Sequence, residues 1–178
     1  MPKRILLIGG PSTGKTTLIN HLRDLGYRCM DEISREVTAK AQAEGIDQLF
    51  LEQPLLFSEL LRDARIAQYN AVTAMREDFV FLDRGIPDTT AYMDFIEQDY
   101  PATFDEDFRK YPYDTVFVLP PWEEIHVTDA ERYENFEQAQ AIHKALLKTY
   151  TSYGYSPVEV PTGPVKERAQ FVLKTIGV

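Results

Sequence analysis

The run Gly9-Gly10-Pro11-Ser12-Thr13-Gly14-Lys15-Thr16 fills every fixed position of G-x-x-x-x-G-K-[ST]. The chemistry that needs this spacing is the holding of a polyphosphate. Glycines let the backbone turn tightly and bring its N–H groups against phosphate oxygens. A helix opening at Lys15 would add the positive end of its dipole. Lys15 offers a compact positive charge between the β- and γ-phosphates, and the Thr16 hydroxyl is a hard oxygen ligand for Mg²⁺. The expected nucleotide-binding residues are therefore Gly10, Pro11, Ser12, Thr13, Gly14, Lys15, Thr16 and Thr17.

Two further groups could do chemistry beside such a loop. Asp31 and Glu32, with Arg35 close behind, follow a short apolar run. A carboxylate there could take the proton from an attacking hydroxyl, bind substrate hydroxyls or hold Mg²⁺ through water. The ordinary alternative is an acidic cluster at a helix N-terminus, and alternation along so short a run does not say which carboxylate points inward. Phe79-Val80-Phe81-Leu82-Asp83 is an apolar run closing on an acid, the general shape of an element that positions Mg²⁺. Thr16 and Asp83 are the expected metal ligands, and Arg84 could grip a phosphate or substrate oxygen bidentately.

The elements that would position these groups are legible as alternating apolar runs and helix-period stretches, the pattern of parallel βαβ units. Strands are expected at 4–8, 27–30, 79–82, 115–119 and 157–160. Helices are expected at 15–25, 33–43, 55–75, 88–98, 129–150 and 164–176, with an aromatic, charged excursion at 100–112. In the long helix the apolar stripe is expected at Leu56, Leu60, Ala64, Ala67 and Ala71. The expected fold is α/β, a three-layer P-loop NTPase fold with a five-stranded parallel sheet of nucleoside- or nucleotide-kinase type, in one domain spanning 1–178. Ligands of such a sheet bind at the strands' carboxyl ends.

A charged, aromatic stretch at about 121–137 is the candidate for a small helical lid, with Arg132 as its phosphate-facing cation and Lys144 and Lys148 behind it. Pro161 and Thr162, in the turn after the last expected strand, are placed to lie beside a nucleobase. Phe57, Tyr69, Tyr92 and Phe95 could stack on an aromatic ligand, though helical spacing equally describes core positions.

The net charge of −9 argues against a broad nucleic-acid or anionic-membrane surface. It does not argue against a phosphate ligand, whose binding field is local and made largely by backbone dipoles. A single cysteine, Cys29, excludes an intrachain disulfide and is expected in the core. The apolar run behind Lys3 and Arg4 is too short for a signal segment or a membrane span, so a reducing, cytoplasmic setting is the expectation.

The segments Gly9 to Thr17, Asp31-Glu32-Ile33-Ser34-Arg35-Glu36, Asp83-Arg84-Gly85-Ile86-Pro87-Asp88 and Pro157 to Arg168 together resemble the AAA_28, or NadR/Ttd-type, family of P-loop domains. The resemblance covers nearly the whole chain. It implies a kinase-like sheet order, ATP with Mg²⁺, and phosphoryl transfer to a small hydroxyl acceptor of nucleoside or nucleotide type. By the same resemblance, Lys15, Thr16, Asp31 or Glu32, Asp83 and Arg84 form the functional set, and the family is similar to the nicotinamide-riboside kinase domain of NadR. The competing expectation is a nucleotide-dependent switch or binding module acting on a protein or lipid partner. A G-protein form of it is disfavoured, since no N-K-x-D run follows a strand.

Overall fold

The computed structural model describes residues 1–43, 45–46, 48–125 and 135–178. Its centre is β1 (Lys3–Ile8), and the strand's composition explains why. Ile5, Leu6, Leu7 and Ile8 are all fully buried, so both faces of this strand are covered, as a run of continuous apolar residues requires. Successive side chains point to opposite faces. Ile5 and Leu7 join Leu18, Ile19 and Leu22 of α1 (Lys15–Asp24) and Ala169 and Val172 of α8 (Val165–Ile176). Leu6 and Ile8 join Val72 of α4 (Pro54–Thr73), Ala91 of α5 (Asp88–Phe95) and Leu146 and Tyr150 of α7 (Phe136–Ser152). One strand thus divides the core into two layers, with helices on both sides of the sheet.

The remaining strands are β2 (Arg28–Met30), β3 (Phe79–Asp83), β4 (Thr115–Val118) and β5 (Val158–Glu159). They assemble in the order β2-β3-β1-β4-β5, every pair parallel. This is the α/β sheet expected from the alternation of apolar and helical periods. The chain leaves β1 toward β2 on one side and leaves β3 toward β4 on the other. That reversal opens a crevice at the carboxyl ends of β1 and β3. The register sets Leu7 opposite Asp83, so the phosphate loop and the acid emerge side by side.

Several expectations are corrected by packing. In α4 the buried positions are Ser58, Leu61, Arg65 and Val72, while Leu60 is exposed. Of the expected stripe, Leu56 and Ala64 do pack against the Val37, Ala41, Leu49 and Leu61 cluster, whereas Ala67 and Ala71 are exposed with Leu60. The buried line lies about one residue further round the helix and includes the polar Ser58 and Arg65. Pro54 opens this helix at its first turn, where a missing N–H costs nothing. Two short helices were not expected: α3 (Leu49–Glu52), which buries Leu49, and α6 (Thr103–Lys110), which buries Phe104 and Phe108. The latter lies inside the 100–112 excursion. Helix α2 (Ser34–Ala43) matches the expected 33–43.

Helix α7 begins at Phe136 rather than near 129. Asn135 is extended and caps it: its side chain accepts from the Gln138 N–H, and the Gln138 side chain accepts from the Asn135 N–H, both at 2.9 Å. Cys29 is only half-buried, since β2 is an edge strand. Among the described residues no helix is long and apolar enough to cross a membrane.

Candidate functional site

The phosphate loop leaves β1 and winds into the first turn of α1. Ser12 at φ 54° and Gly14 at φ 75° adopt left-handed backbone conformations, which curl the loop into a concave shape. The Thr13 hydroxyl donates to the Gly10 carbonyl at 3.2 Å and closes it. A Cβ on Gly14 would sit 2.6 Å from Nη1 of Arg168, so a side chain there would displace that guanidinium in addition to straining the left-handed φ. Arg168, on α8 and 3% exposed, donates from Nη2 to the Thr13 carbonyl at 3.0 Å and from Nε to the Pro161 carbonyl at 3.2 Å. The guanidinium also lies over the Trp122 ring, 5.6 Å from its centroid. A buried arginine thus ties the phosphate loop to the turn holding Pro161 and Thr162.

Lys15 is the first residue of α1 and is buried. Its Nζ lies 2.9 Å from Oδ1 of Asp83, an ion pair with both side chains less than a tenth exposed. Thr16 and Thr17 follow on the exposed face of that first turn. The Thr16 hydroxyl and the Asp83 carboxylate are both hard oxygen donors at the phosphate loop, so the set fits Mg²⁺.

The neighbouring strand ends supply the second cluster. Glu32 caps α2: its Oε1 accepts from the N–H groups of Ile33 and Ser34 at 3.0 and 3.1 Å. The same oxygen lies 3.3 Å from Nη2 of Arg65, and Oε2 lies 2.5 Å from Nε of Arg84. Burial alone would raise the Glu32 pKa, but the positive charges of Arg65, Arg84 and Lys15 and the Ser34 amide outweigh it and hold the group down at about 2. Arg84 itself sits at φ 68°, left-handed for a non-glycine residue. Burial works against its charge, yet Glu32, Asp88 and Asp83 raise its pKa, so it stays a cation.

The Glu32 shift has a direct consequence for stability. A carboxylate whose pKa is lower in the folded chain than its ordinary 4.5 stabilises the fold above that value, and the gain disappears as pH falls toward about 2. The urea midpoint is expected to drop across this acid window. In Glu32→Gln the drop should be shallower, and identical profiles for the two proteins would contradict the assigned ion-pair network.

A family profile described as an AAA domain, AAA_28, matches residues 4–168. The chain belongs to this AAA-domain family. No curated protein matches it by sequence. Among solved structures, this AAA domain is similar to a deoxyadenosine kinase from M. mycoides with products dCMP and a flexible dCDP bound. The TM-score there is 0.71 at 15% identity, covering 97% of this chain and 98% of that one. It is similar also to NadR in complex with NR, with a TM-score of 0.71 at 23% identity, covering 99% of this chain and 52% of the NadR chain. At such identities the likeness establishes the fold, that of the P-loop kinases.

Of the residues singled out by sequence, the AAA domain brings together Lys15, Glu32, Asp83 and Arg84. Asp31 is not among them: its side chain is 76% exposed and pairs with Arg23 of α1 at 2.5 Å. Arg132 and positions 126–134 of the 121–137 segment lie outside the described residues. Its described parts are Trp122, a single 3₁₀ turn at Glu123–Ile125, and the capped start of α7. Lys144 and Lys148 are exposed on α7. Pro161 and Thr162 are exposed and adjoin the phosphate loop through Arg168.

Sequence reasoning missed Arg65 and Arg168. Both sit on helices, where an isolated arginine ordinarily reads as solvated. The signal that could have found Arg65 is its place on the Ser58-Leu61-Arg65-Val72 line, a spacing of three, four and seven residues.

Proposed function

We propose that this AAA domain transfers the γ-phosphoryl group of Mg-ATP to a hydroxyl of a small, nucleoside-like acceptor. The observation that carries this reading is the Glu32–Arg84 ion pair beside the Lys15–Asp83 ion pair, at the carboxyl ends of adjacent strands. A binding module needs the second pair to hold nucleotide. It has no need of a largely buried carboxylate facing an arginine on the acceptor side.

In this reading the phosphate-loop N–H groups and Lys15 hold the donor phosphates, with Pro161 and Thr162 beside the base. Thr16 and Asp83 would hold Mg²⁺, which supplies charge neutralisation at the β- and γ-phosphates. Glu32 accepts the proton of the attacking hydroxyl as its oxygen bonds to the γ-phosphorus and the bond to the β-phosphate oxygen breaks. A low pKa suits that role in a loose transition state, where the proton moves late and little base strength is required. Arg84 neutralises the moving phosphoryl group, with Arg132 as the proposed lid cation. Support for a nucleoside-like acceptor comes from the similar structures, whose bound molecules are nucleotides in the deoxyadenosine kinase and NR in NadR.

The test is incubation with Mg-ATP and a panel of nucleosides, nicotinamide riboside and common metabolites, with phosphorylated products followed by mass spectrometry. A product that disappears with Lys15→Ala is the expected result and names the acceptor. Nucleotide binding with no phosphorylated acceptor would instead favour a nucleotide-dependent switch.

A further inference from the structure

Arg84 is a non-glycine residue in a left-handed conformation, so something must hold it there. Four backbone groups of the Arg84-Gly85-Ile86 turn are held by partners from elsewhere in the fold. The Arg84 N–H donates to the Leu7 carbonyl at 3.0 Å. The Gly85 N–H donates to Oδ2 of Asp88 at 2.9 Å, and the Gly85 carbonyl accepts from Nη1 of Arg65 at 3.0 Å. The Ile86 N–H donates to the Tyr113 hydroxyl at 3.0 Å. Asp88 is 4% exposed, and its Oδ2 also accepts from the fully buried Tyr150 hydroxyl at 2.6 Å. Its other oxygen faces Nη1 of Arg84 at 3.6 Å. Burial, reinforced by Asp88, raises the pKa of the Tyr150 phenol, so it remains a donor.

We propose that Tyr150 and Asp88 are positioning residues: through the Gly85 amide and the Arg84 guanidinium they fix Arg84 against Glu32. The pair also joins the two sides of the crevice. Tyr150 lies near the C-terminal end of α7, while the N-terminal part of that helix covers the phosphate loop. The Ala139 carbonyl and the Ile142 side chain lie 3.5 and 3.6 Å from where a Cβ on Gly10 would stand. At Gly85 there is no such room, since a Cβ there would meet Leu6 at 2.7 Å and the Tyr150 hydroxyl at 2.8 Å. Helix α7 therefore spans from the phosphate loop to the strand end that carries Arg84, which it reaches through the Tyr150 hydroxyl and Asp88.

The transfer role of this pair rests on the kinase reading, but its geometry can be tested without an acceptor. In the full chain, the Nε–H resonance of Arg84 is identified by its disappearance in Arg84→Lys. In Tyr150→Phe it is expected to shift and to exchange with solvent at least about ten-fold faster, while the Arg168 resonance stays in place. Asp88→Asn is expected to do the same, and Tyr150→Phe keeps the test available if that variant does not fold. An unchanged Arg84 resonance in folded Tyr150→Phe would overturn the proposal. With an acceptor in hand, Tyr150→Phe is expected to lower kcat by roughly ten-fold with the donor KM unaltered. On an Arg84→Lys background it should cause no further loss, and a full additional loss there would equally overturn it. If the wild-type protein transfers nothing to any acceptor, the kinase reading falls, and the resonance measurement still decides the positioning role.

Discussion

Lys15→Ala is expected to destabilise the empty protein and to remove its response to nucleotide at the same time. Lys15 and Asp83 face each other at 2.9 Å with almost no exposure, so truncating the lysine leaves a buried carboxylate without its counter-charge. Breaking one side of such a pair costs about 3 kcal/mol or somewhat more. Unfolding in urea without ligand measures this directly. With Mg-ATP at about a hundred times its dissociation constant the wild-type protein should gain about 2.7 kcal/mol, and the variant nothing. The double variant Lys15→Ala/Asp83→Asn separates the two effects, since it should recover much of the lost stability and none of the nucleotide response. A single variant as stable as wild type would mean that the pair is not buried as the structure has it.

Glu32→Gln is expected to have the largest effect on transfer with the smallest effect on nucleotide binding. The amide keeps the shape and can still accept from the Ile33 and Ser34 N–H groups. It cannot take a proton from the acceptor hydroxyl. Loss of a general base of this kind lowers the rate by about 10²- to 10⁴-fold. Nucleotide affinity should change little, because Glu32 makes no contact with the phosphate loop beyond its field on Lys15. Steady-state kinetics with varied acceptor, alongside a direct ATP titration, checks both halves. A variant that retains wild-type kcat would remove Glu32 from the chemistry.

The fold was legible because its strongest signals are local. Ile5 to Ile8 could only be a strand covered on both faces, and the glycines and lysine behind it have one common use. The site was legible where a carboxylate or arginine closes an apolar strand, as at Asp83 and Arg84. It was not legible at Asp31 and Glu32, because a three-residue edge strand carries too little alternation to say which side chain turns in. The structure answers this through the partners: Glu32 meets two arginines, and Asp31 meets Arg23 in solvent. Arg65 escaped for the opposite reason. The apolar residues of its helix mark a stripe, but the buried line also carries Arg65, which reaches the Gly85 carbonyl and Glu32. Short helices such as α6 escaped because a single turn or two of amphipathic sequence is held by its neighbours, here Phe104 and Phe108 in their own apolar cluster.

Trp122 is the only tryptophan in the chain, and it is held against Arg168 at the point where the phosphate loop meets the turn at Pro161. Indole emission is sensitive to the polarity and charge of its surroundings, and here it originates from a single address. The AAA domain thus carries a built-in optical reporter beside its phosphate loop, needing no label and no substitution.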